Sequence, residues 1–240
     1  MKQTFRALLL AAGLGSRLKP FTLHTPKCLA SIDGVPLLGR WLKTLEDIGC
    51  EAVLINTHHH AEQVENFIKN WTNNTKMSIQ TTRETCLLGT AGTLLANKNF
   101  FSGKTGMLLH ADNFTNTDLS GFIKAHLARS NDCLLTMLTF NSLNPESCGI
   151  VETDLNGVVH SFYEKIKNPP SSCANGALYL FDKSFLEWLI RLRPKPTDFS
   201  NEVLPKLLNR IQTWHTNEFY LDIGTPDALK NAQKLIHGSS

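Results

Sequence analysis

The stretch LLLAAGLGSRLKPFTLHTPKCL, Leu8 to Leu29, sets the tightest limit on what this chain can fold into. Residues Ala7–Ala11 are apolar without a break, and Gly13 and Gly15 follow almost at once. A short unbroken apolar run that ends in glycine reads as a strand of a buried parallel sheet. The segment after it is flexible, basic and proline-pinned together: Arg17, Lys19 and Lys27 alternate with Pro20 and Pro26. A chain that leaves its core into such a loop has a use for positive charge there.

The first half of the chain alternates strand and helix signals. Pro36 opens a helix, with Leu37, Leu38, Trp41, Leu42, Leu45 and Ile48 at helical spacing and Gly49 closing it. Further strands are expected at 52–56, 77–81, 107–110 and 134–140, and helices at 61–71, 89–97 and 119–128. This order implies a mostly parallel sheet with helices on both faces. After Asn141 the pattern changes. GIVETDLNGVVHSFYEK is two β runs around Asn156-Gly157, a hairpin signal. A strand at 177–181, helices near 183–192 and 201–210, and strands at 213–215 and 219–221 follow. A last helix starts at Pro226 with Thr225 as its N-cap. No low-complexity linker or repeat interrupts this order, so one continuous domain, 1–240, is expected.

Composition narrows the class. A hydrophobic fraction of 42% supplies a substantial core, and a net charge of +3 is mild. The basic residues are scattered apart from Arg191, Arg193 and Lys195, which read as a solvated helix end. A nucleic-acid stripe is therefore not indicated. No stretch approaches a membrane span or a signal segment. The cysteines at 28, 50, 86, 133, 148 and 173 show no metal-ligand spacing and read as reduced thiols, mostly buried, in a cytoplasmic protein. Gly238-Ser239-Ser240 reads equally well as a native tail or a cloning remnant. His58-His59-His60 is consecutive, so its side chains do not share one face, and a polar strand end is favoured over a metal site. Trp41, Trp71 and Trp188 fall on apolar helix faces and read as core.

Three places concentrate chemistry. The glycine loop follows a parallel strand and so lies at the carboxyl edge of the sheet, where ligands of open α/β folds bind. Gly13 and Gly15 let backbone N–H groups approach a phosphate, and Arg17 and Lys27 can meet its charge. The loop is not a P-loop, because GxxxxGK followed by Ser or Thr is absent. A dinucleotide fingerprint lacks its third glycine, which is Leu18, although Asp33 lies about 20 residues on. An exposed loop with chance basic residues also remains open for the stretch taken alone. Asp112 in LLHADNF and Asp222 in YLDIGTPDAL each end an apolar strand. Two strand-end carboxylates suit Mg²⁺, which takes one or two protein carboxylates beside phosphate oxygens and water.

The opening stretch resembles the signature of the sugar-1-phosphate nucleotidylyltransferases: apolar strand, AAGxGxRL, Pro, Thr, then Pro-Lys and an apolar residue. LLGTAGTL, HADN, CGIVETD, FYEK with NGALYLF, and LDIGTPDAL resemble further motifs of that family in the same order, from Leu8 to about Ala232. The resemblance implies a Rossmann-like α/β fold: a mixed, mostly parallel sheet with a small antiparallel sugar-binding part. Residues 1–140 would be mainly nucleotide-binding and 141–220 mainly sugar-phosphate-binding. Residues 221–240 would hold the closing metal motif and the C-terminal helix. The implied reaction is NTP plus sugar 1-phosphate giving NDP-sugar and pyrophosphate, for nucleotide-sugar and cell-surface polysaccharide precursors. Arg17 and Lys27 would be catalytic. Leu10, Ala12, Gly13, Gly15, Ser16, Thr90 and Gly92 would bind the nucleotide, and Gly149, Glu164, Lys165 and Asn175 the sugar phosphate. Asp112 and Asp222 would hold Mg²⁺. LGTAG resembles the guanylyltransferase loop, which favours GTP with mannose 1-phosphate or a manno-heptose 1-phosphate. Uridylyl or cytidylyl transfer, a non-sugar phosphate, or a binding regulator without turnover stand as alternatives. A homodimer is compatible with such a chain; nucleic-acid and membrane partners are not expected. Two departures bear on the site: Ala111 stands where the family has glycine, and Ile166 where proline is common.

Overall fold

The computed structural model describes residues 4–72 and 75–237, so the Gly238-Ser239-Ser240 tail lies outside the described residues. The elements in order are β1 (Phe5–Leu10), β2 (Ser31–Ile32), β3 (Val35–Pro36), α1 (Leu37–Asp47), β4 (Cys50–Thr57), α2 (Ala61–Trp71) and β5 (Ser78–Arg83). Then come α3 (Thr90–Ala96), β6 (Thr105–His110), β7 (Asn113–Thr115), α4 (Ser120–Ala128), β8 (Leu135–Asn141), β9 (Gly149–Thr153), β10 (Val159–Glu164) and β11 (Cys173–Phe181). The chain ends with α5 (Lys183–Arg191), α6 (Phe199–Glu202), β12 (Ile211–Thr216), β13 (Tyr220–Asp222) and α7 (Pro226–His237). The architecture is the expected α/β class: a mixed, mostly parallel sheet with helices and small two-stranded pieces.

The chain divides into two compact units. Unit 1 takes its described residues from Met1–Leu87, Leu109–Thr115 and Leu221–Ser240. Its centre is β1, paired in parallel with β4, which pairs in parallel with β5. Ala7, Leu8 and Leu9 are wholly buried, as their unbroken apolar run requires. Burying each leucine contributes about 1.5–3 kcal/mol, so this run fixes where β1 lies and hence where its loop emerges. Helix α1 buries Leu37, Leu38, Trp41, Leu42 and Leu45, the spaced residues of its sequence. In α7, Ala228 N donates to Thr225 Oγ1 at 3.2 Å, the expected N-cap.

Unit 2 is Leu88–Leu108 with Asn116–Tyr220. The hairpin β9–β10 forms around Asn156-Gly157 and pairs antiparallel, Gly149 opposite Glu164. Strand β11 pairs antiparallel with β8 and touches β9 at Ala174–Ile150, and β12 runs parallel to β8. The basic cluster after α5 covers helix-end carbonyls. Arg193 Nη1 donates to the oxygens of Ile190 (2.9 Å) and Leu192 (2.7 Å), and Lys195 donates to Ile190.

Two local expectations change. The helix expected over 201–210 is only the short α6 followed by a 3₁₀ turn, Leu204–Leu207. Pro205 has no N–H to continue the α ladder. Asp33, weighed above as a ribose-binding acid, instead forms a two-residue turn with Gly34 between β2 and β3, at φ of 52° and 72°. That geometry is the Asp-Gly hairpin turn.

Candidate active site

Unit 1 brings Arg17, Lys27, Asp112 and Asp222 together from three distant parts of the chain. Gly15 turns the loop at φ 62° and caps a 3₁₀ turn, Ser16–Leu18, from which Arg17 projects. A Cβ on Gly15 would lie 2.7 Å from Thr22 Cγ2 and 3.2 Å from Lys27 Cβ, so this position requires glycine. The buried Thr22 hydroxyl donates to Gly15 O at 2.8 Å and ties the loop to its return path. Pro26 then starts the loop's third 3₁₀ turn, Lys27–Leu29, after one at Phe21–Leu23; it is closed by Leu29 N donating to Pro26 O at 2.9 Å. This turn sends Lys27 inward.

Asp112 follows β6, where Ala111 N donates to Leu10 O at 2.9 Å. The buried alanine is accommodated in the family's glycine position without a left-handed backbone. Ile223 N donates to Asp112 O at 3.0 Å, which sets Asp222 beside Asp112. The Lys27 ammonium, only 10% exposed, lies between the two carboxylates. It donates to Asp112 Oδ2 and, at 2.9 Å, to Asp222 Oδ1. Arg17 Nη2 donates to the other Asp222 oxygen at 3.2 Å. A Cβ on Gly224 would sit 2.9 Å from both Arg17 Nη2 and Asp222 Oδ2, so glycine there permits the pair to close.

The electrostatics follow from this packing. Burial is the largest single influence on Lys27 and pulls its pKa down. The charges and hydrogen bonds of Asp112 and Asp222 together outweigh burial and leave it above the ordinary lysine value. For Asp112, burial pushes upward most, but Lys27, His110 and a backbone bond hold the carboxyl below its ordinary value. Next to them Cys28 is buried, which pushes its thiol up to about 12 and makes it unreactive.

Taken together, a glycine loop after a parallel strand, two facing cations and two strand-end carboxylates form an arrangement suited to phosphates and a hard metal. The nucleotidyl transferase family pattern matches residues 6–239. The chain belongs to the nucleotidyl transferase family. It is 31% identical over 225 residues to the mannose-1-phosphate guanylyltransferase catalytic subunit beta of Drosophila melanogaster, covering 92% of this chain and 60% of that protein. It is 27% identical over 227 residues to mannose-1-phosphate guanylyltransferase 1 of Arabidopsis thaliana, with 92% and 62% covered. The chain thus spans about 60% of the length of these curated relatives. The structure of HddC from Yersinia pseudotuberculosis complexed with GMP-PN shares the fold, with a TM-score of 0.79 at 23% identity, covering 97% of this chain and 99% of that one.

The other family-motif residues divide between the units. Leu10, Ala12, Gly13 and Ser16 belong to the loop of unit 1; a Cβ on Gly13 would meet nothing within 4 Å. Thr90 and Gly92 lie in unit 2, at the start of α3. Thr90 Oγ1 accepts from Phe199 N at 2.8 Å, and Ala91 N and Gly92 N donate to Thr197 O at 2.9 and 3.3 Å. Gly149, Glu164 and Lys165 meet on β9–β10. A Cβ on Gly149 would lie 2.7 Å from Glu164 Oε2, and Lys165 Nζ is 3.3 Å from Glu164 Oε1. The Ala174–Ile150 pairing places Asn175 next to this group. Its amide donates to Tyr179 Oη at 2.7 Å and accepts from Ala177 N at 2.9 Å.

Two residues that sequence reasoning passed over anchor the loop. Asn56, at the carboxyl end of β4, accepts from Ala11 N at 2.7 Å and donates to Glu84 Oε1 at 2.9 Å. All three are buried. The signal was a polar residue ending an otherwise apolar strand. The histidine run does not converge: His58 Nδ1 meets Glu84 O at 2.8 Å, and His59 Nε2 meets Thr22 O at 3.0 Å. Trp41 is buried and donates to Asn113 O at 2.8 Å. Among the described residues no helix is long and apolar enough to cross a membrane.

Proposed function

We propose that this chain transfers a nucleoside monophosphate from an NTP to a sugar 1-phosphate, releasing pyrophosphate. GTP is the favoured donor, and mannose 1-phosphate or a manno-heptose 1-phosphate the favoured acceptor. The guanylyltransferase identity of the curated relatives supports that choice. The observation that carries the reading is the Lys27 ammonium held by Asp112 and Asp222 beside Arg17. An oxygen of the sugar phosphate bonds to the α-phosphorus, the bond between that phosphorus and the α–β bridging oxygen breaks, and pyrophosphate leaves with the electron pair. The nucleophile is already an anion, so no general base is needed. Alignment and charge stabilisation do the catalytic work.

The donor set suits Mg²⁺. Asp112 and Asp222 are hard oxygen ligands that already converge on one cation, the Lys27 ammonium, which stands in for a metal. When bound, Mg²⁺ would withdraw charge from the phosphate oxygens. Arg17 would grip the triphosphate and steady the departing pyrophosphate, and Lys27 would reach the α-phosphate. The loop residues Gly13, Gly15 and Ser16 would line the phosphates, with Leu10, Ala12, Thr90 and Gly92 bordering the nucleoside. In unit 2, Gly149, Glu164 and Asn175 would take the sugar, and Lys165 its phosphate. The chain would act as a single nucleotidyltransferase domain, in a reducing cytoplasm that suits its six free cysteines.

The test is pyrophosphate release with each NTP against a panel of sugar 1-phosphates in Mg²⁺. Release with GTP and a mannose-configured phosphate above all other pairs is expected. No release with any pair, despite measurable NTP binding, overturns the proposal in favour of a binding regulator.

A further inference from the structure

A metal ion and Lys27 compete for the same carboxylate oxygens. The ammonium contacts both Asp112 Oδ2 and Asp222 Oδ1, and Arg17 occupies the remaining oxygen of Asp222. A divalent ion bridging both carboxylates would need direct bonds of about 2.1 Å to those oxygens. It would then stand against the ammonium, where like charges in a partly buried site repel strongly. Lys27 is 10% exposed and has little solvent to retreat into. It leaves only if another anion receives it.

We propose that Lys27 is the resting occupant of the divalent-cation site. Its ammonium holds Asp112 and Asp222 together until phosphate oxygens draw it away, and the cation enters in that exchange. Metal alone is thereby excluded, because it meets two cations. Metal-free nucleotide is disfavoured too, because its phosphates meet two carboxylates. The two together satisfy every charge: phosphates take Lys27 and Arg17 while the metal takes the carboxylates. Arg17 belongs to the same exchange, being 66% exposed and bonded to Asp222 through one contact that Gly224 leaves room for. The identity of the anion that draws Lys27 off rests on the nucleotidyl-transfer reading; the exclusion of free metal does not.

The test uses Mn²⁺ alone as the probe, with no nucleotide, and reads free Mn²⁺ by its electron paramagnetic resonance signal. Lys27→Met is expected to bind Mn²⁺ at least tenfold more tightly than the unchanged protein, although it loses turnover. Lys27→Arg keeps the positive charge and is expected to show no such gain. Adding Asp112→Asn to Lys27→Met is expected to remove the gain, locating the ion on the carboxylate pair. Lys27→Met leaves two carboxylates facing each other, so Mn²⁺ is also expected to raise its unfolding temperature more than that of the unchanged protein. Equal Mn²⁺ affinities, a gain that survives Asp112→Asn, or failure of Lys27→Met to fold in excess Mn²⁺ each overturn the proposal. An unchanged protein that makes no NDP-sugar would sink the reaction reading and leave this comparison standing. An active protein with equal Mn²⁺ affinities would sink the exchange alone.

Discussion

Replacing Gly15 by alanine isolates what the glycine loop needs from its own fold. The position has φ 62°, a left-handed conformation that costs a non-glycine residue about 1–2 kcal/mol. The new methyl would start 2.7 Å from Thr22 Cγ2. Thr22 is buried and its hydroxyl is tied to Gly15 O at 2.8 Å, so it yields only by giving up that bond, worth about 1 kcal/mol. The sum is about 2–3 kcal/mol, a large share of an ordinary domain's stability. Urea unfolding of Gly15→Ala should show that loss, together with weakened NTP binding, since Lys27 Cβ lies 3.2 Å from the same methyl. Thr22→Ser keeps the hydroxyl and removes the clashing methyl. The double variant should therefore be more stable than the two single losses predict, by about 1 kcal/mol. Gly13→Ala is the control. It meets nothing within 4 Å and should stay within about 0.5 kcal/mol of the unchanged protein. A Gly15→Ala protein as stable as Gly13→Ala, or strictly additive behaviour with Thr22→Ser, would refute the reasoning.

Asp112→Ala and Lys27→Ala should each lower turnover by about 10²-fold or more while the protein stays folded, as expected for lost charge stabilisation; unchanged turnover in a steady-state assay removes that residue from the mechanism. Gly149→Ala, whose methyl would start 2.7 Å from Glu164 Oε2, should raise KM for the sugar phosphate more than KM for NTP; equal effects on both would detach this group from the sugar. Asn56→Ala removes the acceptor of Ala11 N–H and should cost about 1–3 kcal/mol in urea unfolding, whereas Asn56→Asp keeps that acceptor but loses the donor to Glu84 and sets two carboxylates face to face, so its stability should recover as pH falls and the introduced carboxyl takes up a proton; identical pH profiles for the two variants would contradict this. In unit 2, burial lowers the pKa of His126, whose Nε2 lies 3.5 Å from Asp182 Oδ1; that close approach, ahead of the hydrogen bonds from Arg129 and Thr105, holds Asp182 well below the usual carboxylate range. The unfolded chain takes up the His126 proton near pH 6.5 while the folded chain resists it, so stability should fall as pH drops below that value. It should fall again as pH drops through the carboxylate range toward the depressed value of Asp182. Urea midpoints against pH for His126→Gln and Asp182→Asn should lack the first and second step respectively; unaltered profiles would show that neither group is linked to folding.

The apolar strands were legible because burial on both faces writes itself as an unbroken run. The 107–110 run belongs to β6 (Thr105–His110), and the 61–71 helix is α2 (Ala61–Trp71) to the residue. What failed was short or locally contradicted. Strands of two residues, such as β2 and β3, have no period to detect, so the Asp33-Gly34 turn was weighed as chemistry. The apolar spacing over 201–210 was real, but Pro205 interrupts its hydrogen bonds. Asn56 and Gly224 escaped for another reason. Their value lies in partners far along the chain, Ala11 and Arg17; the local mark on Asn56, a polar residue ending an apolar strand, does not say which group it meets.

The same distinction separates the chemistry of the site from its state. Residue types at strand ends identified Lys27, Asp112 and Asp222 as charges, but not which charge answers which. Lys27 and its two carboxylates are 85 and 195 positions apart, so only the fold pairs them. That pairing changes the meaning of each residue. Two carboxylates alone would be an open metal site, and two cations alone an open phosphate site. Interleaved, with Lys27 between the acids and Arg17 on the far oxygen of Asp222, they neutralise one another. A neutral cluster folds without ligands and holds its geometry ready. On the proposed exchange it would yield only to a substrate that brings both signs of charge, as a metal-bound nucleoside triphosphate would.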